Sequence, residues 1–168
     1  LIYLAMIESG LNPKAYSRAH ASGMWQFISS RARLQGLRVD WWIDERRDPE
    51  KATYAAARYL KELYERFGSW ELSLAGYNSG EGRVERARKR RPGCEDFWCL
   101  DLPNETENFV PKFMAVVMIG RDPAKYGFQT PAPSAPLDYD TIHVDDAMDL
   151  ELLADAAGAS LDDMRSLN

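Results

Sequence analysis

Asp48-Pro49-Glu50-Lys51-Ala52-Thr53-Tyr54-Ala55-Ala56-Ala57-Arg58-Tyr59-Leu60-Lys61-Glu62-Leu63-Tyr64-Glu65-Arg66-Phe67-Gly68 is the stretch that decides the fold. Asp48 is an acidic cap, and Pro49 takes the first helical position, where a missing N–H costs nothing. Ala52, Ala55, Ala56, Tyr59, Leu60, Leu63 and Phe67 then return to one side of a helix, and Gly68 closes it. Ser69 caps the next helix, on which Trp70, Leu74 and Tyr77 recur at steps of four and three. Further along, Asn104-x-x-Glu107 has the form of a capping box for a last helix bearing Phe109, Phe113, Val116, Val117 and Gly120. Pro111 falls within that pattern, so a kink or a later start is expected. No strand pattern interrupts residues 1–121, and the expectation is a mainly α protein built on a compact helical domain.

The chain has 168 residues, enough for one well-packed domain and a small appendage. Its hydrophobic content of 45% and charged content of 28% are ordinary for a globular protein. A net charge of −5 argues against a general nucleic-acid binder, which is normally basic. No apolar stretch is long enough to cross a bilayer and no signal peptide is visible. The chain opens at Leu1 inside a helical pattern without an initiator Met, and reads as a piece of a longer precursor. Cys94 and Cys99 flank four residues. The only histidines, His20 and His143, stand apart from other ligand types, so zinc is not expected. A disulfide is expected if the compartment is oxidising, and two free thiols otherwise.

Residues 122–137 include Pro123, Pro131, Pro133 and Pro136 among small residues, the composition of an extended linker. In residues 138–168, Thr141-Ile142-His143-Val144 reads as a short strand. A helix from Leu150 to Ala157 follows, then Gly158 and a Ser160-capped helix with Leu161, Met164 and Leu167. A βαα appendage is the result. Its paired aspartates lack the alternate-position spacing and central Gly of a calcium loop.

Glu8 is the leading candidate for chemistry. In a helix it shares a face with Leu1, Leu4 and Ala5. A carboxyl there either lines a cleft, where desolvation raises its pKa into the range of a general acid, or frays into water before Ser9-Gly10. Three other local features accompany it: Gly23-Met24-Trp25-Gln26-Phe27 opening a second helix, Gly76-Tyr77-Asn78-Ser79-Gly80 ending one, and Glu105-Thr106 ahead of Phe109-Val110-Pro111-Lys112.

In this order the four features resemble those of the lysozyme-like lytic transglycosylases, most closely the membrane-bound lytic murein transglycosylase D group. The resemblance runs from Leu1 to about Arg121. It takes in Asp44-Glu45-Arg46-Arg47-Asp48-Pro49 and Tyr77-Asn78-Ser79-Gly80-Glu81-Gly82-Arg83-Val84. It implies a lysozyme-like fold with Glu8 as the single catalytic acid and base. Ser17, Gly23, Met24, Gln26, Phe27, Tyr77, Asn78 and Glu105 would be substrate-binding. Two departures stand out: Gly76 replaces a usual Ala, with little consequence expected, and Phe109 replaces a common Tyr, leaving a packing role.

The implied reaction is cleavage of the β-1,4 bond between N-acetylmuramic acid and N-acetylglucosamine in peptidoglycan, closing a 1,6-anhydro ring. Tyr77 and Gln26 would donate hydrogen bonds that orient the acetamido group. No metal or organic cofactor is implied, and the partner is the glycan strand, with a monomer expected. The implied location is the periplasm or outer membrane of a bacterium, with any membrane attachment through residues ahead of Leu1. A hydrolytic muramidase of goose-lysozyme type and a catalytically silent glycan-binding protein are the rivals. Val144, Leu150, Leu153-Ala154, Gly158, Ser160, Met164 and Leu167-Asn168 follow the spacing of a lysin motif, although Asp145-Asp146-Ala147 replaces its usual Gly-Asp turn and its closing strand is absent. The run Arg83, Arg86, Arg88, Lys89, Arg90 and Arg91 reads first as a solvated helix face, and second as a dock for peptide-stem carboxylates.

Overall fold

The computed structural model describes every residue of the chain except Pro131, Pro133, Leu137 and Asn168. Two linker prolines and the last residue of the lysin-motif pattern therefore lie outside the described residues. The chain divides into two compact units, Leu1–Gln129 and Thr130–Asn168. The first contains α1 (Ile2–Ser9), α2 (Ser29–Leu34), α3 (Pro49–Phe67), α4 (Trp70–Ser79), α5 (Glu81–Arg90) and α6 (Asn104–Arg121). The second contains α7 (Leu150–Ala157) and α8 (Leu161–Leu167). Among the described residues the only β structure is three isolated antiparallel bridges.

α3 forms as its sequence dictates. The Asp48 carboxylate accepts from the N–H groups of Glu50 and Lys51, and Gly68 ends the helix at φ 66°. Its buried side is made of the seven apolar residues of the stripe. α4 is the hub of the unit, packed against α3, α5 and α6, while α1 lies on α6. Ser69 caps α4 through its hydroxyl, 3.4 Å from the Leu72 nitrogen. The apolar stripe expected on α4 is corrected here. Trp70 is exposed and stacks on Tyr64, and five consecutive residues, Leu72 to Gly76, are buried instead. A helix surrounded by neighbours buries its whole circumference, so one-sided spacing does not describe it.

Two glycines set the helix approaches. A Cβ on Gly76 would lie 3.0 Å from both Leu63 and Phe67, so the Gly found there in place of Ala lets α3 and α4 close up. A Cβ on Gly120 would overlap the Tyr3 ring, so Gly120 admits α1, and with it Glu8, against α6.

α6 is unbroken through Pro111, which faces outward. The capping box does not form. Pro103 holds the cap position, and the Glu107 carboxylate accepts from the Leu102 N–H at 3.2 Å. Cys94 and Cys99 are disulfide-bonded, with Cα atoms 5.8 Å apart, and buried Phe97 anchors their loop to the core. In the second unit, α7 and α8 pack on each other. The strand expected at residues 141–144 is absent: those residues are irregular, and among the described residues no other segment pairs with them to satisfy their backbone groups. The appendage is αα, not βαα.

Candidate active site

Glu8 occupies the last turn of α1, at the negative end of the helix dipole and with no basic residue in that turn. Its carboxyl is largely shielded from water. Burial first, and the nearby charge of Glu105 second, push its pKa up to about 8. Near neutral pH it therefore keeps its proton, which is the state a general acid needs.

The segment after α1 folds back to meet it. The Ser9 hydroxyl donates to the Met24 carbonyl at 2.8 Å. Gly23-Met24-Trp25-Gln26-Phe27 does not open a helix. Residues 23–26 form a tight turn between the bridged Ser22 and Phe27, and α2 begins only at Ser29. Gly23 has φ 81°, and a Cβ there would overlap the Arg46 carbonyl oxygen, so the position admits only glycine without movement. Gln26 adopts φ 49°, unusual outside glycine, and its Nε2 donates to the Gly23 carbonyl at 2.8 Å.

Buried Arg46 clamps this turn from outside. Its Nη1 donates to the carbonyls of His20 and Phe27, both at 2.9 Å, while Nε and Nη2 grip the Asp44 carboxylate, each at 2.7 Å. Nothing local in the sequence marks Arg46 as a clamp, although it lies inside one of the segments carrying the family resemblance.

α4 delivers Tyr77 and Asn78. The Tyr77 hydroxyl donates to the Trp25 carbonyl at 2.8 Å. Its pKa is raised well above the ordinary phenol value by burial, then by the charges of Glu8 and Tyr59. Its proton is thus committed to Trp25, and its oxygen offers an acceptor rather than the donor expected from the resemblance. Asn78 is held from two sides: its Oδ1 accepts from buried Thr106 at 2.9 Å, and its Nδ2 donates to exposed Glu105 at 3.4 Å. The first turn of α6 is in this way tied to the end of α4.

A cleft of about 200 Å³ adjoins these groups. Gln26, Phe27, Ile28 and Arg31 line it from one segment, Tyr77, Asn78, Ser79 and Gly80 from another, and Tyr59 from α3. Phe27 and Tyr59 pack on Tyr77 with ring centroids 5.9 and 5.3 Å away. Of the expected site residues, Glu8, Ser17, Gly23, Met24 and Glu105 do not line this cleft. Ser17 serves the loop instead, its hydroxyl accepting from the Ala21 N–H at 3.0 Å. Phe109 is buried, in the packing role expected of it.

Sequence reasoning missed a three-residue brace. Arg31 Nη2 donates to both Glu81 oxygens at 2.6 Å, and the guanidinium lies 4.5 Å from the Tyr59 ring centre. The Tyr59 hydroxyl donates to Glu81 at 3.0 Å. Fifty positions separate Arg31 from Glu81, so no local pattern announces the pair.

The helical arrangement is similar to the solved 70 kDa soluble lytic transglycosylase of Escherichia coli, with a TM-score of 0.54 and 25% identity over 68% of this chain and 20% of that one. The chain belongs to the family described as the transglycosylase SLT domain, whose model matches residues 1–97. It is 37% identical over its whole length to membrane-bound lytic murein transglycosylase D of Escherichia coli strain K12, spanning 38% of that protein. It is also 36% identical to peptidoglycan transglycosylase gp16 of Escherichia phage T7 across 67% of this chain and 9% of the phage protein.

Proposed function

We propose that this chain carries a peptidoglycan lytic transglycosylase, residues 1 to about 121 bearing the chemistry and the tail serving as an appendage. The observation that carries the reading is Glu8: one protonated, water-shielded carboxyl beside Tyr77, in a chain of this family. A glycosidase with two matched carboxylates would use the second as nucleophile or base. With one, the substrate supplies the nucleophile. The acetamido oxygen of the muramyl sugar attacks its own anomeric carbon while Glu8 gives its proton to the departing glycosidic oxygen. An oxazolinium ring results and Glu8 is left ionised. Glu8 then takes the proton of the C6 hydroxyl, whose oxygen attacks the anomeric carbon and reopens the oxazolinium. The acetamido group is restored, a 1,6-anhydro ring closes, and no water enters the balance.

The roles of the surrounding groups follow from their free atoms. Gln26 donates from Nε2 to the carbonyls of Gly23 and Ala15, so it offers Oε1 to the acetamido N–H rather than the donor expected from the resemblance, which fixes that group for attack. The Tyr77 hydroxyl, on a buried ring, lies within electrostatic reach of Glu8. Gly23, Met24 and Phe27 shape the turn that carries Gln26, and Asn78 couples the cleft to Glu105. The relatives' printed names, which include membrane-bound murein enzymes, support a place at the bacterial cell wall, in the periplasm or at the outer membrane. Among the described residues no helix is long and apolar enough to cross a membrane.

Glu105 gives the hydrolytic alternative its one specific support, since an exposed carboxylate within electrostatic reach of Glu8 is placed to activate water. Mass analysis of fragments released from purified peptidoglycan separates the two. Products one water lighter than reducing muramyl ends are expected; reducing ends as the main product would reassign the chain to the muramidases.

A further inference from the structure

The polar side chains around the cleft spend nearly all of their donors on the protein itself. Gln26 Nε2 gives to the Gly23 and Ala15 carbonyls, at 2.8 and 3.5 Å. The Tyr77 hydroxyl gives to the Trp25 carbonyl, the Ser79 hydroxyl to the Ala75 carbonyl at 2.8 Å, and the Tyr59 hydroxyl to Glu81. Asn78 gives one amide N–H to Glu105 and keeps the other. Arg31 is the exception. A guanidinium donates from Nε, Nη1 and Nη2, and here only Nη2 is engaged, shared between the two Glu81 oxygens. Among the described residues its Nε and Nη1 have no hydrogen-bonding partner, and the side chain lines the cleft.

The brace fixes both the position and the charge of that unspent edge. The guanidinium lies 4.5 Å from the Tyr59 ring centre, and Tyr59 also tethers Glu81 through its hydroxyl. Burial works against an ionised Glu81, yet the hydrogen bonds it accepts, that of Arg31 first, hold its pKa below the ordinary value. Arg31 and Glu81 thus stay charged and are neutral as a unit. A carboxylate approaching Arg31 would meet the Glu81 charge as well, whereas an uncharged oxygen would not. Among the uncharged oxygens of a glycan, an amide carbonyl carries more negative charge than a hydroxyl or an ether, so it makes the best acceptor for this edge.

We propose that Arg31 is a substrate-binding residue whose Nε and Nη1 edge donates to the acetamido carbonyl of a sugar in the cleft, with Glu81 and Tyr59 as its positioning residues. The proposal rests on the transglycosylase reading and adds a specificity determinant to it. The acetamido group concerned belongs to a sugar beside the reacting one. A cationic donor on the reacting acetamido oxygen would draw off the electron pair with which that oxygen attacks. Arg31 therefore contributes to binding in the ground and transition states alike, which appears in KM and leaves kcat in place.

Calorimetry on the full chain compares two uncharged β-1,4 pentasaccharides, one of N-acetylglucosamine and one of glucose, which differ at C2 by an acetamido group against a hydroxyl. Wild type is expected to prefer the acetylated one. R31M/E81M removes the donors without leaving a lone charge in the wall, and should lower that preference by about ten- to hundredfold, the range for one hydrogen bond from a charged group. R31K keeps a cation for Glu81 but has no second edge, so it should unfold in urea near the wild-type midpoint and still lose the preference. The ratio is read within each sample, so the folded fraction cancels. On peptidoglycan, R31K should raise KM with kcat little changed. No preference in wild type, an unchanged preference in either variant, or an equal loss on both sugars would overturn the assignment and leave the brace purely structural. A fall in kcat at constant KM would overturn it too. The products of wild type test the underlying reading separately. Anhydro ends without an acetyl preference keep the transglycosylase and drop Arg31; an acetyl preference without cleavage removes the transglycosylase and leaves Arg31 binding glycan.

Discussion

Replacing Glu8 by Gln keeps the shape of the side chain and removes its titration. In the folded protein the Glu8 pKa is about 8, against an ordinary 4.5. Its folded pKa lies above the unfolded one, so the folded state holds the proton more tightly. The associated stability is fully present below about pH 4.5 and is lost as pH rises through 8. Each unit of difference corresponds to about 1.4 kcal/mol, which sets a ceiling of about 5 kcal/mol across the window. Wild type and E8Q should match near pH 4.5, and E8Q should become progressively the more stable, by up to that amount near pH 8.5. Urea unfolding followed by tryptophan fluorescence at several pH values measures the difference, in which the other titrating groups cancel. The same samples should show turnover reduced by roughly 100- to 10,000-fold, the range for a general acid–base group. Parallel stability curves over the whole range would refute the shielding of Glu8, and near-normal turnover would move the chemistry to another carboxyl, Glu105 first.

Glu105→Gln removes the neighbouring charge that adds to the Glu8 shift, so the alkaline limb of the kcat/KM profile should move to lower pH with little change in thermal stability; a limb that stays in place would uncouple the two residues. Gly23→Ala should destabilise the fold by about 2 to 5 kcal/mol, combining a positive φ with overlap on the Arg46 carbonyl, and denaturant titration would show it.

What the sequence disclosed was whatever its local chemistry alone controls. The Asp48 and Ser69 caps, the buried stripe of α3 and the closing Gly68 depend on neighbours within a turn or two, and each formed as expected. On spacing alone Glu8 stays open between a cleft and a frayed helix end; the resemblance singles it out, and the fold shields its carboxyl from water. The errors arose where a distant partner decides. Glu107 has the spacing of a capping box but finds the Leu102 N–H closer to hand. Gly23-Met24-Trp25-Gln26-Phe27 looks like a helix start, yet positive φ at both Gly23 and Gln26 bends it into a turn that Arg46 then grips. Thr141-Ile142-His143-Val144 has strand-like residues without a partner strand. The Arg31–Glu81–Tyr59 brace joins three helices and leaves no trace in spacing.

The Arg46 clamp and the Glu8 carboxyl answer to different acidities. Arg46 holds the Asp44 carboxyl below its usual range, chiefly by side-chain hydrogen bonding, so the contribution of that pair to the fold is lost only at acid pH below the ordinary Asp value. Glu8 changes charge near pH 8, far from that limit. Between the two the turn carrying Gln26 keeps its geometry while the acid beside it switches. A pH–rate curve taken in that interval therefore follows the Glu8 proton while the Arg46–Asp44 pair stays charged.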